Sequence, residues 1–112
     1  MMKSTDAVLD HHLQSLGSED VSAVIADYTG DSVLLTANGP IKGIKLLDDF
    51  FHGFLSAMPQ FMAGFRILRQ EVIGEIAYIV WESPKYSPLG TDTFLIRDGN
   101  ILTQTSAAHM LK

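Results

Sequence analysis

The sequence predicts a single α+β domain, with three helices in its first half and antiparallel strands in its second. Apolar residues recur at intervals of three and four up to Met58, and β-rich runs follow towards the end of the chain. Helices followed by strands, rather than an alternation of the two, indicate α+β packing. The 112 residues fit one domain, spanning residues 1–112.

Two short helices open the predicted fold. The first is predicted over residues 5–16, with Ser4 or Thr5 as its N-cap and Gly17 as its end, because helical spacing relates Leu9, His12, Leu13 and Leu16. The second is predicted to begin after an N-cap at Ser18, and its apolar stripe comprises Val21, Val24, Ile25 and Tyr28.

A strand and a longer helix follow. β-rich residues predict a strand at 32–37, and the sequence Asn-Gly-Pro at 38–40 is a turn signal. Apolar residues then keep helical spacing from Ile44 to Met58, and Pro59 ends this third helix.

The second half is interpreted as four strands, at residues 61–73, 75–82, 91–97 and 100–110. Asp98-Gly99 predicts a hairpin between the last two strands and leaves its loop length open. A two-residue loop would place Thr103, Thr105 and His109 on the face of Asp92. A three-residue loop with a glycine bulge would instead place Gln104, Ser106 and Met110 there.

Composition excludes several classes of partner and site. The net charge is −5, with no basic block, so neither nucleic acid nor an anionic membrane is an expected partner. The chain has no cysteine, which excludes disulfides and thiolate sites and fits a cytoplasmic location. The start, "MMKSTDAVLDHHL", lacks the pattern of a signal peptide, and the longest apolar run, "IAYIVW", is too short to span a bilayer.

Asp92 stands out within the stretch "GTDTFLIRDGN". Strand alternation places this carboxylate on the same face as Phe94 and Ile96. One interpretation is a buried acid held for chemistry or binding, since burial beside a Phe disfavours the charged form. The other is an acid at the beginning of the strand, beside Gly90, that reaches solvent.

Three stretches in order resemble the nuclear-transport-factor-two-like fold, also called SnoaL-like or ketosteroid-isomerase-like. They are "SEDVSAVIADYTGDSVLLTANGPIKG", "LLDDFF" and "TDTFLIRDGNI". The resemblance implies a cystatin-like roll, in which a cone-shaped curved sheet wraps around three helices, encloses an apolar pocket and dimerises through its outer face. Members of this superfamily include isomerases, cyclases and noncatalytic binding proteins, so the fold alone does not name an activity.

The resemblance also implies roles for individual residues. Asp92 falls where ketosteroid isomerases carry a protonated Asp that donates a hydrogen bond to an oxyanion. His12 occupies the approximate position of their oxyanion tyrosine, although a His at the border of an apolar helix face is the simpler interpretation. Thr36 stands where the isomerase has its general-base Asp, and a threonine hydroxyl is too weak a base to replace it.

The predicted catalytic residues are therefore Asp92 and His12. The ungapped match to the family favours the glycine-bulge hairpin, which brings Gln104 and Ser106 to the face of Asp92. Tyr78 and Trp81 lie on opposite faces of one strand, so that at most one of them points inward. The predicted ligand-binding residues are Tyr28, Thr36, Phe50, Phe54, Tyr78, Phe94, Gln104 and Ser106.

Two functions are compatible with these residues. The first is acid–base chemistry of the isomerase, cyclase or lyase kind on a small hydrophobic molecule, with Asp92 as acid or base. The second is a noncatalytic ligand-binding or homodimeric interaction module on the same fold. We expect no metal and no cofactor, because His11, His12, His52 and His109 lack ligand spacing and no glycine-rich phosphate loop is present.

Overall fold

The computed structural model describes residues 3–112. It consists of a six-stranded sheet packed against helices. The helices are α1 (Thr5–Gly17), α2 (Val21–Ile25), α3 (Ile44–Ala57) and α4 (Phe61–Gly64). The strands are β1 (Tyr28–Thr36), β2 (Gly39–Lys42), β3 (Arg66–Ile73), β4 (Ile76–Ser83), β5 (Ser87–Arg97) and β6 (Asn100–His109). The predicted α+β class and curved sheet are confirmed. The predicted domain of residues 1–112 also includes Met1 and Met2, which lie outside the described residues.

Side-chain caps fix the first two helices. Of the two predicted N-caps, Ser4 and Thr5, Ser4 caps α1, since its hydroxyl accepts a hydrogen bond from the Ala7 amide at 3.1 Å. The predicted Ser18 cap of the second helix is wrong, because the Ser18 amide instead closes the end of α1 on the Gln14 carbonyl. Asp20 caps α2 by accepting from the Ala23 amide at 3.1 Å.

The remaining boundaries differ from the prediction at four places. β5 begins at Ser87 rather than at the predicted 91, because residues 87–90 already pair with β4 and β6. Tyr28 belongs to β1 and not to the second helix, because α2 ends at Ile25. Residues 61–64 form the short helix α4, so the strand predicted from 61 begins only at Arg66. The short strand β2 was not predicted, since Pro40 signals a turn locally; proline is tolerated on an edge strand because no ladder donor is needed there.

The sheet is mixed, with strand order β2-β1-β6-β5-β4-β3. β1 runs parallel to β6, and the other four pairings are antiparallel. This one parallel pairing joins the two halves of the chain, because it brings Leu34 beside Gln104. Across the residues that the structure describes, no helix is long and apolar enough to cross a membrane.

The β5–β6 hairpin combines features of both predicted alternatives. Arg97 pairs with Asn100, so the loop has two residues, and Asp98 and Gly99 have φ of 54° and 79° as a type I′ turn requires. The register then shifts by one residue, since Ile96 pairs with Ile101 but Leu95 pairs with Thr103. This β-bulge, and not a longer loop, brings Gln104 and Ser106 to the face of Asp92.

Candidate functional site

A cavity of about 250 Å³ lies between the inner face of the sheet and the helices α1, α3 and α4. Strand alternation turns Ile79 and Trp81 of β4 and Asp92 of β5 towards it. Its wall is largely apolar, with aromatic contributions from Phe50, Phe51, Phe54, Phe61, Phe65 and Trp81. Its polar groups include His12, Asp92, Gln104 and Ser106.

The Asp92 carboxylate lies at the cavity wall and is 9% exposed. Trp81 Nε1 donates to its Oδ1 at 2.9 Å, and Ser106 Oγ donates to the same oxygen at 2.9 Å. Gln104 Nε2 donates to Oδ2 at 2.8 Å. The three donors come from β4 and β6, the two strands that flank β5, so the sheet register holds the carboxylate in place.

Burial and hydrogen bonding act on Asp92 in opposite directions. Desolvation by the apolar surroundings raises the pKa of the Asp92 carboxyl, whereas the bonds from Trp81, Gln104 and Ser106 lower it, and burial prevails. A carboxylate offers about four acceptor positions, two on each oxygen. Oδ1 uses two and Oδ2 uses one. One acceptor position on Oδ2 is therefore not used by the three neighbours.

Tyr28 supports this arrangement from behind Gln104. Its hydroxyl donates a short hydrogen bond to Gln104 Oε1, which orients the amide so that Nε2 points to Asp92. Tyr28 is 5% exposed, and burial followed by repulsion from Asp92 and Asp27 raises the pKa of its hydroxyl well above the ordinary value. The hydroxyl therefore keeps its proton and serves as a donor.

His12 contributes a neutral imidazole to the cavity. It projects from α1 against the edges of Tyr28, Phe51 and Phe94, and its ring centroid lies 5.2 Å from that of Phe94. Burial, followed by repulsion from His11, lowers the pKa of His12 to about 3. Its buried Nδ1 has no hydrogen-bond partner among the described residues. His12 can thus exchange a hydrogen bond with a ligand but is a poor proton acceptor near neutral pH.

Trp81 reaches Asp92 because the residue opposite it in the sheet is a glycine. Trp81 pairs with Gly90, and a Cβ placed on Gly90 would lie 2.1 Å from Cζ2 of the indole. The ring therefore lies flat over the β5 backbone, with its N–H directed to Asp92 two residues further along. This cross-strand contact is the structural reason for Gly90.

Thr36 borders the cavity, but its hydroxyl is used within the β1–β2 turn. Oγ1 donates to the Gly39 carbonyl at 2.9 Å and accepts from the Asn38 amide at 3.1 Å. Both bonds are local and stabilise the turn.

Seven of the ten predicted site residues line this cavity, and three do not: Tyr28, which lies behind Gln104, Phe94 and Tyr78. Phe94 is fully buried in the core beneath His12. Tyr78 lies on the outer face of β4, since the alternation that turns Ile79 and Trp81 inward turns Tyr78 outward. Its predicted place in the pocket is wrong in this geometry. The residues that do line the cavity are His12, Thr36, Phe50, Phe54, Asp92, Gln104 and Ser106.

Trp81 is the important residue that the predicted set omitted. The sequence left open which of Tyr78 and Trp81 points inward, and the available signal was Gly90, a residue small enough to lie under an indole. Among residues 3–112, no group of three or more His, Cys, Asp or Glu side chains is arranged to hold a metal ion.

Comparison with known proteins identifies the fold. No protein-family profile matches the sequence, and no curated protein matches it either. An NTF2-like protein of unknown function from Burkholderia xenovorans superposes with a TM-score of 0.75 at 18% identity, over 96% of this chain and 84% of that chain. A SnoaL-like protein of unknown function from Burkholderia thailandensis gives 0.74 at 13% identity, over 92% and 91% of the two chains.

A further similar structure carries a suggested activity. A candidate SnoaL-like polyketide cyclase from Shewanella putrefaciens superposes with a TM-score of 0.74 at 13% identity, over 96% of this chain and 80% of that chain. At such low identities, the likeness establishes a shared fold and leaves the chemistry to the site itself.

Proposed function

We propose that this protein, which has the NTF2-like, SnoaL-like fold, binds a small hydrophobic molecule in its aromatic cavity and uses Asp92 for proton transfer. The observation that carries the proposal is a buried carboxyl at the cavity wall, with a raised pKa and one acceptor position on Oδ2 that its neighbours do not use. Burial that raises the pKa of such a carboxyl makes it better suited to exchange a proton with a bound molecule.

The cavity limits the size of the molecule. Its volume of about 250 Å³ exceeds the roughly 150 Å³ of an apolar cavity that binds benzene. It is below the roughly 300 Å³ at which pockets for drug-sized ligands begin. A ligand of one or two fused rings fits these limits, with its rings against the aromatic wall and one polar group near Asp92.

The proposed chemistry needs only one acid–base group. Thr36 cannot act as a base, and the lowered pKa of His12 leaves it a poor one. A single carboxylate that removes a proton from carbon and returns it to another atom is sufficient for isomerase-type or cyclase-type chemistry, with the neutral His12 as a hydrogen-bonding assistant.

Exchange of ligand protons with solvent tests this function without knowledge of the substrate. 1-Indanone carries acidic C–H groups beside its carbonyl, and its deuteration in D₂O can be followed by NMR with and without protein. We expect wild-type protein to accelerate deuteration and Asp92→Asn to lose the acceleration. The control is Tyr78→Phe on the outer face, which should behave as wild type.

The second candidate is a noncatalytic binding module, and the same experiment separates it from the first. The use of the Thr36 hydroxyl within the β1–β2 turn favours it, because the position that would hold a second catalytic group has a structural role. Binding of 1-indanone to wild type and Asp92→Asn without accelerated deuteration in either would establish this alternative.

We also propose that the protein forms a homodimer through the outer face of its sheet. Apolar side chains on this face support the proposal, since Leu35 is 43% exposed and Leu89 is 51% exposed. Light scattering coupled to gel filtration should give twice the monomer mass, and Leu89→Lys should reduce it to the monomer mass. The predicted cytoplasmic location stays a prediction.

A further inference from the structure

The charges at the cavity favour a cationic ligand over an anionic one. Among the described residues that line the cavity, Asp92 is the single acid, and none is Lys or Arg. His12 cannot supply a positive charge near neutral pH, because its pKa is lowered to about 3. An anionic ligand would therefore be desolvated without a counter-charge and would face Asp92. The net charge of −5 on the chain acts in the same direction at longer range.

The donors around Asp92 are all used in hydrogen bonds, which leaves one acceptor position of the carboxylate open. The Trp81 indole can only donate, and its one N–H is committed to Oδ1. The Gln104 amide is held at both ends, since Oε1 accepts from Tyr28 while Nε2 donates to Oδ2. Ser106 Oγ donates to Oδ1. The unused acceptor position on Oδ2 therefore calls for a ligand that donates.

The aromatic wall suits a positive charge as well as an apolar ring. Phe50 and Phe54 are stacked 10° from parallel, with centroids 6.2 Å apart, and Phe61 packs edge-on against Trp81 with centroids 5.3 Å apart. Faces of such rings attract ammonium groups, most strongly where water is excluded. The cavity thus combines a buried carboxylate with several aromatic rings.

From these observations we infer that the ligand of this cavity is a small ring-bearing ammonium compound, whose N–H donates to Asp92 Oδ2. The inference rests on the proposed binding function and specifies the chemical class of its ligand. An ammonium ion would supply the counter-charge that Asp92 lacks, and its ring would occupy the aromatic part of the cavity. A charge-assisted hydrogen bond of this kind is stronger than a neutral one.

Four probes of the same bicyclic frame test the inference. They are 2-aminoindane (a cation), indane (apolar), 2-indanone (a neutral acceptor) and indane-2-carboxylate (an anion). Binding is measured at pH 7 by quenching of Trp81 fluorescence, because Trp81 is the one tryptophan of the chain, and by calorimetry. We expect 2-aminoindane to bind about tenfold or more tighter than indane, and the carboxylate to bind most weakly.

Asp92→Asn provides the second comparison. The Asn amide is close in shape to the carboxyl but carries no charge, so we expect the preference for 2-aminoindane over indane to disappear. The ranking of the four probes in the wild type stands as a test even if the variant does not fold.

The outcomes separate the inference from the function on which it rests. Equal binding of the amine and indane, or tightest binding of 2-indanone, overturns the ammonium inference and leaves the binding function intact. Failure of all four probes to bind overturns the binding function and the inference with it. An amine preference that persists in a folded Asp92→Asn variant also overturns the inference, because the preference would then come from another group.

Discussion

Substitution of Gly90 by alanine tests the structural basis of the site most directly. Gly90 lies beneath the Trp81 indole, and an alanine Cβ would lie 2.1, 2.3 and 2.5 Å from Cζ2, Cε2 and Cη2 of that ring. Ordinary contact begins at 3.4 Å, so the indole must retreat by about 1.3 Å. Because the Trp81 Nε1 to Asp92 Oδ1 bond measures 2.9 Å, a shift of that size breaks it or moves Asp92 with it.

Two costs follow from this displacement. Overpacking of a filled core costs about 1–3 kcal/mol. Loss of a hydrogen bond to a buried carboxylate costs about 1.5–3 kcal/mol. Together these costs should lower the free energy of unfolding of Gly90→Ala by about 2.5–6 kcal/mol. This is a large share of the roughly 5–15 kcal/mol of an ordinary domain. The melting temperature should fall by about 10 °C or more.

Urea unfolding measured in parallel by fluorescence and far-UV circular dichroism provides the assay. Trp81 is the one tryptophan in the chain, so emission reports on this site alone. The native emission of Gly90→Ala should shift to longer wavelength relative to wild type, because the displaced indole loses its buried position. The unfolding midpoint should fall in both signals.

Gly53→Ala is the matched control. Gly53 lies in α3 and is exposed, and a Cβ on it would meet no atom within 4 Å. Alanine should stabilise the helix there by about 0.5–1 kcal/mol. If Gly90→Ala unfolds within about 1 kcal/mol of wild type and its emission is unchanged, Gly90 does not position the Trp81 indole.

Three further predictions concern buried polar groups. The His12 pKa is about 3 in the folded state and about 6.5 unfolded, so stability is lost as pH falls through this window, by about 3 kcal/mol between pH 7 and pH 4. His12→Gln should remove that part of the acid sensitivity in urea unfolding, and an unchanged pH slope would contradict the assignment. Asp92 affects the pH dependence of stability in the opposite direction, because burial raises its pKa in the folded state. The free energy of unfolding therefore falls as pH rises from the unfolded pKa of about 3.9 through the folded pKa. Asp92→Asn should therefore gain stability relative to wild type as pH rises above about 4, and a pH-independent difference would refute this. Tyr28→Phe leaves Gln104 Oε1 without its donor and should cost about 1–3 kcal/mol, whereas Tyr78→Phe on the outer face should stay within about 0.5 kcal/mol. Equal losses in the two tyrosine variants would show that the Gln104 bond contributes nothing.

Local patterns were sufficient for the elements whose periodicity is strong. The apolar spacing of α3 and the Ser4 cap of α1 predicted those helices to within about one residue at most boundaries. Weak or conflicting signals failed. The four residues of β2 are too few for periodicity to identify, and the apolar residues at 61–64 fit a strand as well as the helix that they form.

The hairpin shows how a correct result can follow from an incorrect geometry. The resemblance to the family favoured Gln104 and Ser106 as neighbours of Asp92, and the structure places them there. The predicted cause was a three-residue loop, whereas the observed cause is a two-residue turn followed by a bulge. Both give the same one-residue shift, and sequence spacing cannot distinguish them because the extra residue is absorbed either in the turn or in the strand.

The sequence by itself determined the α+β order, the helices α1 and α3 and the row of Asp92, Phe94 and Ile96, because each depends on periodicity over a few consecutive residues. Only the tertiary structure decided which groups Asp92 meets. The Tyr28 to Gln104 bond spans 76 residues and depends on the parallel pairing of β1 with β6, which no local pattern encodes. The bond from Trp81 depends on register across two strands, which places Gly90 beneath the indole. The acid is therefore visible in the sequence, whereas its raised pKa, its donors and its one open acceptor position arise from packing.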